Sequence, residues 1–173
     1  MNKINDLIKE YPQFKKTSKL YDSIVQTLGC TLSKAKDLTR THCNLVSFWA
    51  ILYTSGEYKN TYAKFFRWML EENYCNVKGY ILVDKKIILD KLLIDCNMET
   101  FRDYEDIINP LARLNPEKYY QVKIKADTSG WHFMACYIQD GIFYGSDTSY
   151  RGTPFLLTDK VTQANFEKID EVC

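Results

Sequence analysis

Trp131 to Asp147, WHFMACYIQDGIFYGSD, is the stretch from which the rest of the chain is read. Trp131 to Ile138 is aromatic and rich in strand formers, Gln139-Asp140-Gly141 carries turn chemistry, and Ile142 to Ser146 resumes a strand, so a β-hairpin is predicted. A two-residue Gln139-Asp140 loop sets Asp147 directly opposite His132. A two-residue Asp140-Gly141 loop makes Asp147 a diagonal neighbour on the same face, and a three-residue loop puts the two on opposite faces. Either even-length loop brings a carboxylate to one of only two histidines.

Just upstream, from Tyr119, Val122, Ile124 and Ala126 alternate with Gln121, Lys123 and Lys125. This predicts a half-exposed strand that leads through Asp127-Thr128-Ser129-Gly130 into the hairpin. Downstream, Pro154 to Leu157 is read as a last strand and Gln163 to Glu171 as a closing helix. The N-terminal half is helical: Asn5 to Glu10, Leu20 to Leu28 ended by Gly29, and a run from Thr41 that is apolar nearly all round. Thr39 or Thr41 is its natural N-cap and Gly56 its stop. Tyr62, Phe65, Phe66 and Met69 make Thr61 to Asn73 an amphipathic helix. Gly79 to Val83 reads as a short strand, Asp84 as the cap of a helix carrying Ile87, Ile88, Leu89, Leu92 and Leu93, and Thr100 to Ile108 as a helix halted before Pro110. Helices first and antiparallel strands last is an α+β order.

At 173 residues, with 46% hydrophobic and 26% charged residues, the chain is expected to be one domain, 1–173, with a substantial core. Lys+Arg 23 against Asp+Glu 22 leaves a net charge of +1, spread without runs, so neither nucleic acid nor an anionic membrane is an expected partner. The start lacks a secretory h-region and no segment approaches 18 consecutive apolar residues, so a soluble cytoplasmic chain is expected. Cys30, Cys43, Cys75, Cys96, Cys136 and Cys173 form no C-x-x-C pair, and in a reducing compartment they are expected to be mostly free thiols.

Thiol catalysis needs an activated sulfur, a base, a group to orient the base and donors for the oxyanion. Cys43 alone of the six sits in the first turn of a buried helix, where unpaired N–H groups favour a thiolate. With Thr41 as N-cap it occupies the second helical position. His42 is its chain neighbour and points about 100° away, which leaves His132 as base and Asp147 as its orienter. Cys30, after Gly29, is the rival nucleophile, although the residues that follow it are charged. Trp131 reads either as a wall of the cleft or as core.

Cys43-Asn-Leu-Val-Ser47-Phe-Trp-Ala50-Ile-Leu resembles the nucleophile helix of peptidase C39-like proteins in the papain-like cysteine peptidase superfamily. Asn60 to Asn73 resembles that family's second helix, and His132-Phe133-Met134-Ala135 with Asp147 resembles its ending. The likeness spans roughly residues 11 to 147. It departs at His42, where the family usually has Gly, and at Thr148, where it has Pro. It implies a papain-like, C39-like α+β fold, with N-terminal helices, among them a buried nucleophile helix, packed on a C-terminal antiparallel sheet. It also implies a thiol hydrolase that cleaves a peptide or protein substrate at an amide bond without metal or cofactor. A glutamine upstream completes the family's oxyanion hole; Gln13 in Tyr11-Pro12-Gln13 is the candidate and Gln26 the competitor. The alternatives are a cell-wall peptide hydrolase or acyl transferase using the same site, and a non-catalytic binding or assembly module.

Overall fold

The computed structural model describes residues 2–14, 18–127, 130–149 and 153–173, so Thr128 and Ser129 of the loop before the hairpin lie outside the described residues. Four helices lead: α1 (Lys3–Lys9), α2 (Lys19–Leu28), α3 (Leu32–Thr39) and α4 (Cys43–Ser55). They are followed by α5 (Tyr62–Glu71) and α6 (Lys85–Lys91). Local chemistry sets many of their ends. Thr61 and Asp84 accept from the N–H groups of Lys64 and Lys86, while Gly29 and Gly56 end α2 and α4. The unexpected helix is α3, where Thr31 caps and only Ala35, Leu38 and Thr39 are buried. Its charged surface residues are those of a helix lying on the core with one narrow apolar side.

The strands are β1 (Glu99–Phe101), β2 (Tyr119–Lys125), β3 (Trp131–Gln139), β4 (Ile142–Ser146), β5 (Phe155–Leu156) and β6 (Phe166–Glu171). They form one antiparallel sheet in the order β1-β6-β2-β3-β4-β5. The fold is α+β, helices packed against a six-stranded sheet. One core lies between the helices and one sheet face, joining Leu45, Phe48 and Ile51 of α4 to Ala135 and Tyr137 of β3. A second covers the opposite face, where Val122, Met134, Cys136 and Ile169 meet Ile107, Leu157 and Val161.

Four expectations are corrected. The predicted closing helix is strand β6: Ile124 pairs with Phe166 and Val122 with Ile169, so a bulge makes three residues of β6 span two of β2. That three-residue apolar spacing imitates a helical period. The predicted helix from Thr100 is instead β1 followed by the four-residue α7 (Glu105–Ile108), because Thr100 pairs with Asp170 of β6. Gly79 to Val83 contributes only an isolated bridge between Cys75 and Ile81. Strand β2 is buried on both faces, with Gln121 1% exposed, since both layers cover the sheet centre.

The cysteines are not all free. Cys96 and Cys173 form a disulfide, with Cα atoms 5.6 Å apart, while Cys30, Cys43, Cys75 and Cys136 are thiols.

Candidate active site

The hairpin turns through Asp140 and Gly141, at φ 52 and 76, and Gln139 pairs with Ile142. Two consecutive positive φ values suit Asp-Gly, whose right-handed twist matches the flanking strands. Ala135 then pairs with Ser146, which makes Asp147 the diagonal neighbour of His132. The two meet: Nε2 of His132 lies 2.8 Å from Oδ1 of Asp147. A carboxylate only accepts, so Nε2 carries the proton and Nδ1 is left for another partner.

Asp147 is 4% exposed and fully engaged. Its Oδ1 also accepts from the Ser149 N–H at 2.8 Å, and its Oδ2 accepts from the Ser149 hydroxyl at 2.6 Å and from Lys160 Nζ at 2.9 Å. Burial alone would raise this carboxyl, but the bonds and charges of His132 and Lys160 hold it well below the usual carboxylate range. Burial likewise pulls His132 down, and the hydrogen bond with Asp147 and the interaction with Cys43 outweigh it, taking the imidazole up to about 10. Cys43 is thus close enough to the same ring to contribute to its basicity.

Cys43 is the first residue of α4 and 6% exposed. The N-cap is His42, one residue later than Thr41, and it caps with its backbone alone. The bond from Val46 N–H to the His42 carbonyl opens the intrahelical ladder, so the Cys43 N–H precedes it. Three features fix this helix start. The Thr41 hydroxyl donates to the Lys78 carbonyl at 2.6 Å. Gly79, at φ 74, lies so near that a Cβ would stand 2.8 Å from the His42 ring. From β2, the Gln121 side-chain amide donates to the Asn44 carbonyl at 2.9 Å and the Ser47 hydroxyl at 2.6 Å.

His42 itself is structural. Its Nε2 donates to the Val77 carbonyl at 3.0 Å, so Nδ1 accepts from the Tyr62 hydroxyl at 2.6 Å. Burial lowers this histidine to about 4, opposed by the bond to Val77. With an unfolded value of about 6.5, its contribution is fully present above pH 6.5. It is lost as pH falls from 6.5 to 4, a destabilisation of about 3 kcal/mol. His42→Gln keeps one donor and one acceptor without a titrating ring. Urea midpoints between pH 7 and pH 4 are expected to fall less steeply in this variant than in the native chain; equal slopes would reject the assignment.

Gln13 is brought close to the helix start, with its amide engaged elsewhere. Its Nε2 donates to the carbonyls of Thr39 at 3.0 Å and Arg40 at 3.2 Å, and its Oε1 accepts from the Thr148 hydroxyl at 3.1 Å. Because its backbone N–H also donates to the Thr148 carbonyl, Gln13 clamps the residue after Asp147 to the segment before Cys43. Gln26 is exposed on α2, its carbonyl facing Arg67. Cys30 packs beside the helical core ahead of α3, and no ring or carboxylate partner for it is found among the described residues. Burial pushes Cys75 up to about 12 and Cys136 well above the ordinary thiol range. Trp131 is 48% exposed and lies under Lys123, whose Nζ is 4.1 Å from the ring centre.

Two contributors have no local signature. Lys160 arrives from the loop after β5, and only the fold brings it to Asp147. Gln121 sat on the expected exposed face of its strand, and its burial follows from the second layer. Two cavities involve His132 or the chain neighbours of Cys43 and His132. One, of about 560 Å³, includes Phe14, His132, Asp147 and Lys160; the other, of about 350 Å³, includes Asn44, Lys123 and Phe133. Among the described residues no group of three or more His, Cys, Asp and Glu side chains is arranged to hold a metal ion, and no helix is long and apolar enough to cross a membrane. No protein-family model, curated protein or solved structure matches the chain.

Proposed function

We propose that the chain is a papain-like, C39-like thiol hydrolase that cleaves an amide bond in a peptide or protein. The observation that carries this reading is the part-buried Asp147–His132 bond, with the imidazole raised to about 10 beside Cys43 at a helix start. In the proposed reaction the Cys43 sulfur attacks the carbonyl carbon as a thiolate paired with the His132 imidazolium. His132 returns its proton to the leaving amine, then takes one from the water that hydrolyses the thioester. Asp147 keeps the Nε2–H tautomer, and the Cys43 N–H is a donor to the oxyanion. Donation from Gln13 would require it to exchange its bond to Thr39 or Arg40.

Site-by-site labelling with iodoacetamide tests the pair. A thiol of pKa about 8.5 is about 3% ionised at pH 7, so a sulfur held as thiolate gains up to about thirtyfold. Cys43 is expected to label ahead of Cys30, Cys75 and Cys136, and His132→Ala to slow it by about tenfold or more. Cleavage of casein-type and peptidoglycan substrates, abolished in Cys43→Ala, would then assign the activity and separate protein from cell-wall substrates. One observation favours a second reading, a non-catalytic binding module: both Gln13 amide protons are spent on carbonyls. Slow labelling of Cys43, unchanged in His132→Ala, is the outcome that this reading expects.

A further inference from the structure

We propose that the cavity between Asn44 and Phe133 is a subsite for a carboxylate carried by the peptide substrate, next to the bond presented to Cys43. This rests on the thiol-hydrolase reading for its place in catalysis. Asn44 follows the nucleophile in α4 and Phe133 follows the base in β3, so the cavity is lined by the chain neighbours of Cys43 and His132, whereas the cavity that His132 itself lines also includes Asp147. Its volume of about 350 Å³ accommodates a glutamate side chain.

Charge distinguishes this side from the other. Lys85, Lys86, Lys123 and Lys168 line it against Asp84 and Asp170. The cavity at His132 is closer to balance, with Lys125, Lys160 and the His132 imidazolium against Asp127 and Asp147. Of the two aspartates of the lysine-rich cavity, only Asp170 is paired with lysines, while Asp84 is exposed and keeps its charge. Asp84 accepts from the Lys86 backbone N–H as the cap of α6. Asp170 accepts from the Thr100 hydroxyl at 2.7 Å and is shared by Lys168, at 2.7 Å, and Lys85, at 3.7 Å.

Lys123 pairs with no carboxylate among the described residues and rests over the Trp131 and Phe133 rings. A purely structural role, locking α6 to β6, needs one lysine for Asp170 and leaves the others unexplained. Lys85 supports the same view: buried, and bonded to the Gln121 side-chain carbonyl, it is lowered to about 8 by desolvation despite Asp170. An added carboxylate would relieve that cost. Gln121 also holds the first turn of α4, so the subsite and the nucleophile share one support.

The test uses the full chain carrying Cys43→Ala and fluorescein-labelled, C-terminally amidated alanine hexapeptides with a single Glu, Gln or Lys moved along the sequence. Anisotropy at low salt should show one Glu peptide binding roughly five- to tenfold tighter than its Gln counterpart. Lys123→Gln should remove most of that difference, and Lys123→Glu should turn the preference towards the Lys peptide. A Gln peptide with a free C-terminus that binds as tightly would assign the carboxylate to a chain end instead of a side chain. In the chain with Cys43 intact, the same preference is expected in KM more than in kcat.

Equal binding of Glu and Gln peptides, or a preference untouched by Lys123→Gln, overturns the subsite. Cleavage without acidic preference would leave the hydrolase reading standing and reject the subsite. Lysine-dependent binding of the Glu peptide with no cleavage by the Cys43 chain would do the reverse.

Discussion

Asp147→Asn is expected to lower turnover of a cleaved peptide by about 10³- to 10⁴-fold while the chain stays folded. Asparagine fits the same space, yet it brings an NH2 group where His132 needs an acceptor and removes the charge that balances the imidazolium. With that charge gone, desolvation, already the largest single influence on His132, is opposed only by Cys43 and pulls its basicity down from about 10. In the native chain the raised His132 adds stability that is complete below about pH 6.5 and is lost as pH rises towards 10. In the variant that alkaline loss should shrink, leaving only what Cys43 contributes. Titration of the His132 ring by NMR measures the shift without any substrate, and the alkaline limb of the pH–rate profile should move to lower pH with it. A His132 titration midpoint that does not move in Asp147→Asn would reject the proposed role of Asp147.

Removal of the Cys96–Cys173 disulfide should cost about 4 kcal/mol. The bond joins residues 77 apart in sequence, and the loop-entropy argument assigns closures of that length about this value. It ties the segment after α6 to the chain that follows β6, which is held to the start of β2 where the Tyr119 N–H donates to the Cys173 carbonyl at 2.7 Å and the Val172 N–H to the Tyr119 carbonyl at 3.0 Å. Cys96→Ser and Cys173→Ser, singly, should lower the urea midpoint by similar amounts, with no further loss in the double variant. Thiol titration of the unfolded chain should give four groups before reduction and six after. Six before reduction would reject the bond. The count also bears on Cys43, because only Cys30, Cys75 and Cys136 then compete with it for an alkylating agent.

What could be read from the chain itself is what neighbours in sequence decide. The turn was legible in Gln139-Asp140-Gly141 and either even-length loop brings Asp147 to His132, while the structure selects Asp140-Gly141, whose residues accept two positive φ values. The caps Thr61 and Asp84, the stops Gly29 and Gly56 and the apolar run of α4 are equally local. Cys43 at a helix start belongs to the same class, because a helix leaves its first N–H groups unpaired whatever packs around it.

The tertiary structure decided everything that depends on a distant partner. Phe166 and Ile169, three apart, read as helical until β2 supplies the bulged register. Thr100 became strand because Asp170 was available across the sheet edge. Gln121 looked exposed on an alternating strand and is buried because two layers cover the sheet centre. Gln13 carried the residue type for an oxyanion donor, but the carbonyls of Thr39 and Arg40 took its protons. Lys160 reaches Asp147 from the loop after β5, a meeting that only the closed fold brings about. Sequence spacing records a periodicity of burial, whereas these outcomes turn on which chain segment supplies the other half of each bond.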